Sequence, residues 1–172
     1  MSNYNTRSKQ PSREEILRFF NLPNFAIEIT KEEDYWKKDW TREFAKCVFI
    51  VVGTYEGAEL FDRFAAYKIG FELEKIGLRW MVITDKYWEE VKERYSKSPV
   101  ITIGGPVANH LSFKLSQKKG LGNNAIGFEL TDKLIGFIWG ENAYETLKFA
   151  KTFIEGYLEN YAKIAKDIIK NQ

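Results

Sequence analysis

Strand-like runs of apolar residues, each followed by a helical pattern, constrain the fold of this 172-residue chain more than any other feature. The longest run extends from Cys47 to Val52, is apolar at every position, and ends at Gly53. Such runs are typical of strands that are covered on both faces, as in parallel sheets. Three strand–helix units in succession imply right-handed crossovers, so the sequence predicts a mainly parallel sheet.

The remaining elements are predicted from hydrophobic spacing and from Gly and Pro positions. After the first strand we expect a helix over about 58–76 closed by Gly77, a strand over 78–84, a helix over 87–95, a strand over 99–103, a helix from Pro106 to about 117, and a hairpin of 125–130 with 134–139. The predicted fold is a three-layer α/β domain of Rossmann-like or flavodoxin-like type over residues 47–172. A helical N-terminal extension is predicted over residues 1–46.

The final helix is predicted to be unusually long. Apolar residues recur three or four apart between Asn142 and Ile169, which predicts a single helix of about 42 Å. A strand of ordinary length spans only about 17–20 Å, so roughly half of this helix is expected to overhang the sheet. Its apolar stripe then needs a cover. Two covers are open: the N-terminal helices, or a second copy in a homodimer formed through the C-terminal helix.

Charge and composition exclude several classes of function. Lys and Arg number 26 against 24 Asp and Glu, so the net charge of +2 gives no strong nucleic-acid signal. Cys47 is the single cysteine, which excludes an intrachain disulfide and a Cys-built metal site. No apolar run approaches the roughly 20 residues of a membrane span, and the first residues do not resemble a secretory signal. We therefore expect a cytoplasmic protein, with a charged and aromatic composition that resembles thermophilic proteins.

Ligands of parallel α/β sheets bind beyond the carboxyl ends of the strands. Four segments are expected to meet there: residues 53–57, 84–86, 104–109 and 140–142. The candidate ligand-binding residues in these segments are Gly53, Thr54, Glu56, Asp85, Gly104, Gly105, Asn109, His110 and Glu141.

Each candidate has two interpretations. The backbone at Gly104-Gly105-Pro106 either holds an anion next to a helix start or makes a tight turn that serves packing. Glu56, Asp85 and Glu141 either bind Mg²⁺ or act as an acid/base pair, or they stabilise helix starts without a ligand. Glu59 and Asp62, in the first turns after Gly57, are expected to have the same helix-start role.

His110 is the only histidine, and its ordinary pKa near neutrality suits proton transfer. Fingerprints that would assign a reaction are absent from the sequence. It contains no G-x-G-x-x-G, no G-x-x-x-x-G-K-[ST] and no G-x-S-x-G. The catalytic residues and any cofactor are thus unknown at this stage.

Residues 100–109, Val-Ile-Thr-Ile-Gly-Gly-Pro-Val-Ala-Asn, resemble the Gly-Gly-Pro-x-x-Asn turn of α/β modules in archaeal S-layer proteins. Residues 138–146 are similar to the later strand of those modules, which ends in Gly and leads into an acidic helix start with Thr. The resemblance covers about residues 47–155 and implies a Rossmann-like module used for structure or adhesion rather than turnover. The sequence lacks an export signal, an anchor and Ser/Thr-rich segments, so it resembles a free-standing cytoplasmic relative.

Two functions from different classes follow from these observations. The first is a non-catalytic module that binds a protein partner or its own copy. The second is a small-ligand protein or enzyme that uses the carboxyl edge of the sheet. Its ligand would be an anion, a nucleotide or a sugar phosphate, with Mg²⁺ as a possible companion.

Overall fold

The computed structural model describes residues 39–172, apart from the side chains of residues 56–59. Most of the predicted N-terminal extension lies outside the described residues. Its last part, Trp40–Ala45, is a helix that belongs to the same unit as the rest of the described chain, Trp40–Gln172. The predicted boundary between residues 46 and 47 stays a prediction.

Eleven elements follow one another in the described part of the chain. The strands are β1 (Cys47–Val52), β2 (Arg79–Thr84), β3 (Val100–Ile103), β4 (Ala125–Leu130) and β5 (Leu134–Trp139). The helices are α1 (Trp40–Ala45), α2 (Glu56–Lys75), α3 (Asp85–Val91), α4 (His110–Lys119), α5 (Ala143–Gly156) and α6 (Leu158–Lys170).

The five strands form one sheet in the order β2-β1-β3-β5-β4. β1 pairs in parallel with β2 and β3, and β3 pairs in parallel with β5. The antiparallel member is β4, which pairs with β5 in the predicted hairpin. The predicted α/β class with a mainly parallel, Rossmann-like or flavodoxin-like sheet is therefore confirmed.

Helices cover both faces of this sheet because the strands are apolar on both faces. All six residues of β1 are buried, as expected for a central strand of a parallel sheet. Val48, Ile50 and Val52 face a core that α2, α5 and α6 complete. Phe49 and Val51 face a second core, which is built with α3 and the end of α1.

The C-terminal helix is present, but the prediction of one continuous helix over Asn142 to Ile169 is wrong. The chain breaks at Tyr157, where φ is −124°, and it continues as α6. Gly156, a weak helix former, precedes the break. Tyr161 of α6 is fully buried, and its hydroxyl donates a hydrogen bond to the Val100 carbonyl at 3.0 Å.

The prediction of an overhanging, uncovered stripe is also wrong, because the stripe packs on the core of the chain itself. In α6, Tyr161 of the stripe is fully buried, and Ile164 and Ile168 are partly buried against the same core. This stripe therefore needs no second copy to cover it.

Two helix starts differ from their predicted positions. Pro106 does not begin a helix: residues 105–108 form a turn, and α4 begins only after Asn109. Thr84, rather than Asp85, caps α3, since its side chain accepts a hydrogen bond from the Tyr87 N–H. No helix within residues 39–172 is long and apolar enough to cross a bilayer.

Candidate functional site

The sheet changes direction between β1 and β3. The chain leaves β1 towards β2 on one side and returns to β3 on the other side, so the crevice beyond these two strand ends is the topological switch point. At this point Gly53 lies so close to the Ala108 carbonyl that a larger residue would collide with the backbone. The Gly104 N–H donates to the Ile138 carbonyl at 3.1 Å, which joins the end of β3 to the end of β5.

Asp85 joins three elements at this edge. Its buried carboxylate accepts hydrogen bonds from Thr54 Oγ1 at 3.0 Å, from its neighbour's N–H (Lys86) at 2.9 Å and from the His110 N–H at 2.8 Å. Three donors satisfy most of the capacity of a carboxylate. The geometry therefore favours a structural role for Asp85 and Thr54.

His110 contributes to this cluster through its backbone only. Its imidazole is exposed and stacks on Phe113, with ring centroids 6.4 Å apart. The imidazole does not line the cavity described below. A role for His110 in ligand binding stays a prediction that the geometry does not favour.

Asn109 uses its whole side chain to hold the strand ends together. The Nδ2 group donates to the carbonyls of Val51 at 3.1 Å and Ile103 at 2.8 Å, so it bridges β1 and β3. The Oδ1 atom accepts from the N–H groups of Leu111 and Ser112, which caps α4. Asn109 is buried and fully hydrogen-bonded, which leaves no donor on its amide for a ligand.

Two of the three positions in the Gly104-Gly105-Pro106 turn have no free N–H group to offer an anion. The Gly104 N–H is already bonded to Ile138, and Pro106 has no N–H to offer. Gly104 has a φ of +98°, and the Asp62 carboxylate lies against its Cα where a side chain would otherwise project. A carboxylate in this place repels phosphates and other anions, so the geometry favours the tight-turn interpretation.

A cavity of about 600 Å³ opens at this edge of the sheet. Its walls come from residues around the start of α2, from the turn after β3 and from the segment after β5. Of the predicted candidates, Gly105 and Glu141 line it. Those that do not line it are Gly53, Thr54, Asp85, Gly104, Asn109 and His110. The side chain of Glu56 lies outside the described residues.

Thr146 stiffens the wall that follows β5. Its Oγ1 atom accepts a hydrogen bond from the Gly140 N–H at 3.1 Å and lies 3.2 Å from the Asn142 carbonyl, to which it donates. The Glu141 N–H donates to the side chains of Asn124 and Glu145. The cavity is therefore bounded by backbone that is held in place before any ligand arrives.

Asp62 is the residue of this cavity that the sequence analysis missed. It is only 3% exposed, and within the described part of the chain its Oδ2 atom has no hydrogen-bond partner. Burial raises the pKa of this carboxyl from 3.8 to about 6, because the charged form loses its hydration. Buried polar groups are normally paired, so an unpaired carboxylate that lines a cavity is a functional candidate.

A signal for Asp62 was present in the sequence. On α2, Asp62 shares a face with Ala65, Ala66, Ile69 and Leu73, all of which are buried. An acid on the apolar face of a helix is costly, unlike an acid on the solvent face. Its position near a helix start suggested an ordinary stabilising role, whereas the helix face on which it lies is the informative feature.

The predicted Mg²⁺ site has no donor set in the described part of the chain. Among those residues, no group of three or more His, Cys, Asp or Glu side chains is placed to hold a metal ion. Asp85 is occupied by three protein donors, and Glu141 is an exposed residue on the cavity wall.

Comparisons with known proteins assign no family to this chain. No protein-family model matches it, and no curated protein matches it either. The resemblance of residues 100–109 to the turn of archaeal S-layer modules stays a prediction.

We expect Asp62→Asn to change how stability depends on pH. A carboxyl whose pKa is higher in the folded than in the unfolded state stabilises the fold in its protonated form. This contribution is complete below about pH 4 and is lost as the pH rises through about 6. The rise from 3.8 to about 6 corresponds to roughly 3 kcal/mol. We expect urea unfolding to show that the free energy of unfolding of the wild type, minus that of Asp62→Asn, falls by about this amount between pH 4 and pH 8.

Asp85→Asn is the matched control, because its carboxylate is paired. An amide at this position turns an NH₂ group towards a hydrogen-bond donor. We therefore expect the free energy of unfolding at pH 7 to fall by about 1–3 kcal/mol. If the difference between wild type and Asp62→Asn did not change with pH, the account of Asp62 as an unpaired buried acid would be contradicted.

Proposed function

We propose that this protein binds a small organic molecule in the cavity at the β1/β3 switch point, and that Asp62 accepts a hydrogen bond from it. The observation that supports this proposal is the buried carboxyl group of Asp62, which lies on the wall of a cavity of about 600 Å³ and whose Oδ2 atom is unpartnered among residues 39–172. This volume is within the range of roughly 300–1,000 Å³ that is usual for small-molecule sites.

The energetics of Asp62 support binding rather than a structural role. An apolar residue on this face of α2 would pack without the desolvation cost that a carboxylate carries. Asp85, at the same edge of the sheet, shows the structural alternative, in which each carboxylate oxygen accepts at least one hydrogen bond from the protein. Asp62 lacks such donors in the described part of the chain, and a ligand would supply one.

The described walls of the cavity do not favour the anionic ligands that the sequence suggested. Among the lining residues that the structure describes, Asp62 and Glu141 are the only charged side chains, and both are acidic. Nucleotides and sugar phosphates are usually met by Lys, Arg or free backbone N–H groups. We therefore favour a ligand without a phosphate. A carboxyl with a pKa of about 6 also accepts and releases protons near neutrality, so acid/base chemistry on a bound ligand is chemically accessible.

We predict that a fragment library will contain molecules that bind this cavity. The library consists of amines, alcohols, amides and carboxylic acids of at most about 15 heavy atoms, a size that suits the cavity. Binding is read from backbone ¹⁵N–¹H shifts, and the affected amides should be those of Gly105, Val107, Gly140 and Thr146. Asp62→Leu keeps the packing and removes the hydrogen-bond acceptor. It should therefore weaken the binding of those fragments that carry a hydrogen-bond donor. If no fragment shifted these amides, the proposed function would be wrong.

A second candidate function is self-association. The surface that we propose for it is on α2 rather than on the C-terminal helix that the sequence suggested. Leu60, Phe64, Tyr67 and Phe71 form an exposed apolar stripe along α2. These four residues are 40–62% exposed, which makes a large apolar patch for one molecule. The stripe has spacings of four, three and four residues, so it reads the same in both directions. Such a pattern suits a two-fold dimer in which α2 lies antiparallel to its copy.

We predict a weak dimer through this stripe. Specific interfaces bury at least about 1,000 Å² in total, and one helix stripe on each copy can supply only a small interface, so the association is expected to be weak. Sedimentation equilibrium between about 10 and 500 µM should show dimer formation, and Phe64→Glu should abolish it. Leu130→Glu is the matched control, because Leu130 is similarly exposed but lies in the hairpin. A protein that is monomeric over the whole range would refute the dimer.

A further inference from the structure

Aromatic side chains stand at the mouth of the cavity, next to its buried acid. Tyr55 precedes α2 and is 72% exposed, and Phe61 is the neighbour of Asp62 and is 45% exposed. Both residues line the cavity. Neither ring contacts another aromatic ring or a cation within the described part of the chain. Free aromatic faces beside a carboxylate attract organic cations.

The charges of the cavity point in the same direction. Asp62 is buried at its wall and Glu141 is exposed at its rim, whereas the described lining contains no Lys, Arg or His. A neutral ligand would leave the charge of Asp62 uncompensated, and an anion would add a second negative charge. A cation with an N–H group compensates the charge of the Asp62 carboxylate and donates a hydrogen bond to it at the same time.

We propose that the ligand is a primary or secondary ammonium compound with an apolar or aromatic body, whose N–H donates to Asp62 while its body lies against Tyr55 and Phe61. This inference rests on the proposed function and adds the chemical class of the ligand. A quaternary ammonium is less suitable, because it has no proton to donate to the buried carboxylate.

The position of Asp62 sets the shape of such a ligand. Its carboxylate lies against Gly104, deep at the end of β3, whereas Tyr55 is at the surface. The ammonium must therefore lie at the end of the ligand that enters the cavity, and the apolar part must lie near the opening. Benzylamine has this shape, and benzyl alcohol and benzoate are its neutral and anionic counterparts.

The test is a ¹⁵N–¹H NMR titration of the full chain with benzylamine, benzyl alcohol and benzoate at pH 7.5. We expect benzylamine to bind at least tenfold more tightly than benzyl alcohol, and benzoate not to bind, since a charge-assisted hydrogen bond is replaced by a weaker one or by repulsion. Asp62→Asn should lower the affinity for benzylamine at least tenfold and change the affinity for benzyl alcohol less than twofold. Phe61→Leu should lower the affinity for benzylamine more than that for benzyl alcohol, because only the cation makes a cation–π interaction with the ring.

Asp167→Asn is the matched control, since this exposed carboxylate lies on α6 and does not line the cavity, so the change should alter the affinity for benzylamine less than twofold. Benzoate or benzyl alcohol binding as tightly as benzylamine would overturn the ammonium class but leave the cavity as a binding site. Unchanged benzylamine affinity in Asp62→Asn would overturn it too. If none of the three compounds shifted the cavity amides and the fragment library also gave no binder, the proposed function would fail together with this inference.

Discussion

The buried amide of Asn109 holds the carboxyl ends of β1 and β3 together, and the architecture of this edge depends on it. Two adjacent strands at a switch point send their chains to opposite sides, so their last carbonyls need partners that the sheet does not supply. Asn109 donates to one carbonyl on each strand and caps α4 with its oxygen. The turn between Gly104 and Asn109 is thereby confined, and Gly104 presents its open Cα side to α2.

Two buried acids at this edge have opposite environments. Asp85 receives donors from three positions and ties β1, α3 and α4 into one unit. Asp62 lies against Gly104, and its Oδ2 atom has no donor among the residues that the structure describes. The first acid adds to the stability of the fold, whereas the second costs stability by its burial. A residue that costs stability and lines a cavity is better explained by a ligand than by packing.

Much of this fold is predictable from the sequence, because its strongest signals are local. The run from Cys47 to Val52 is apolar on both faces, and only a strand between two helical layers buries such a run without alternation. The meeting of the four loop segments also follows from topology, since parallel strands end at the same edge. The break at Tyr157 is less visible, because apolar spacing continues through it and only Gly156 marks a weak point.

The candidate site was harder to predict, because its key residue is identified by what it lacks. Thr54, Asp85 and Asn109 carry residue types that suit ligands, yet the structure uses them to bond one another's elements. Whether a polar side chain at a strand end is satisfied by the protein depends on distances between distant segments, which spacing does not encode. Asp62 is recognisable as unusual from its helix face alone, but its cavity and its contact with Gly104 arise from tertiary packing.

The most direct measurement of this account is a ¹³C NMR titration of the Asp62 carboxyl in the ligand-free protein, with its signal assigned by comparison with Asp62→Asn. The account predicts a midpoint at about pH 6, because an unpaired carboxylate at this depth is poorly hydrated. A midpoint near the ordinary value of about 4 would mean that water or a protein donor already satisfies the group, and would contradict the account.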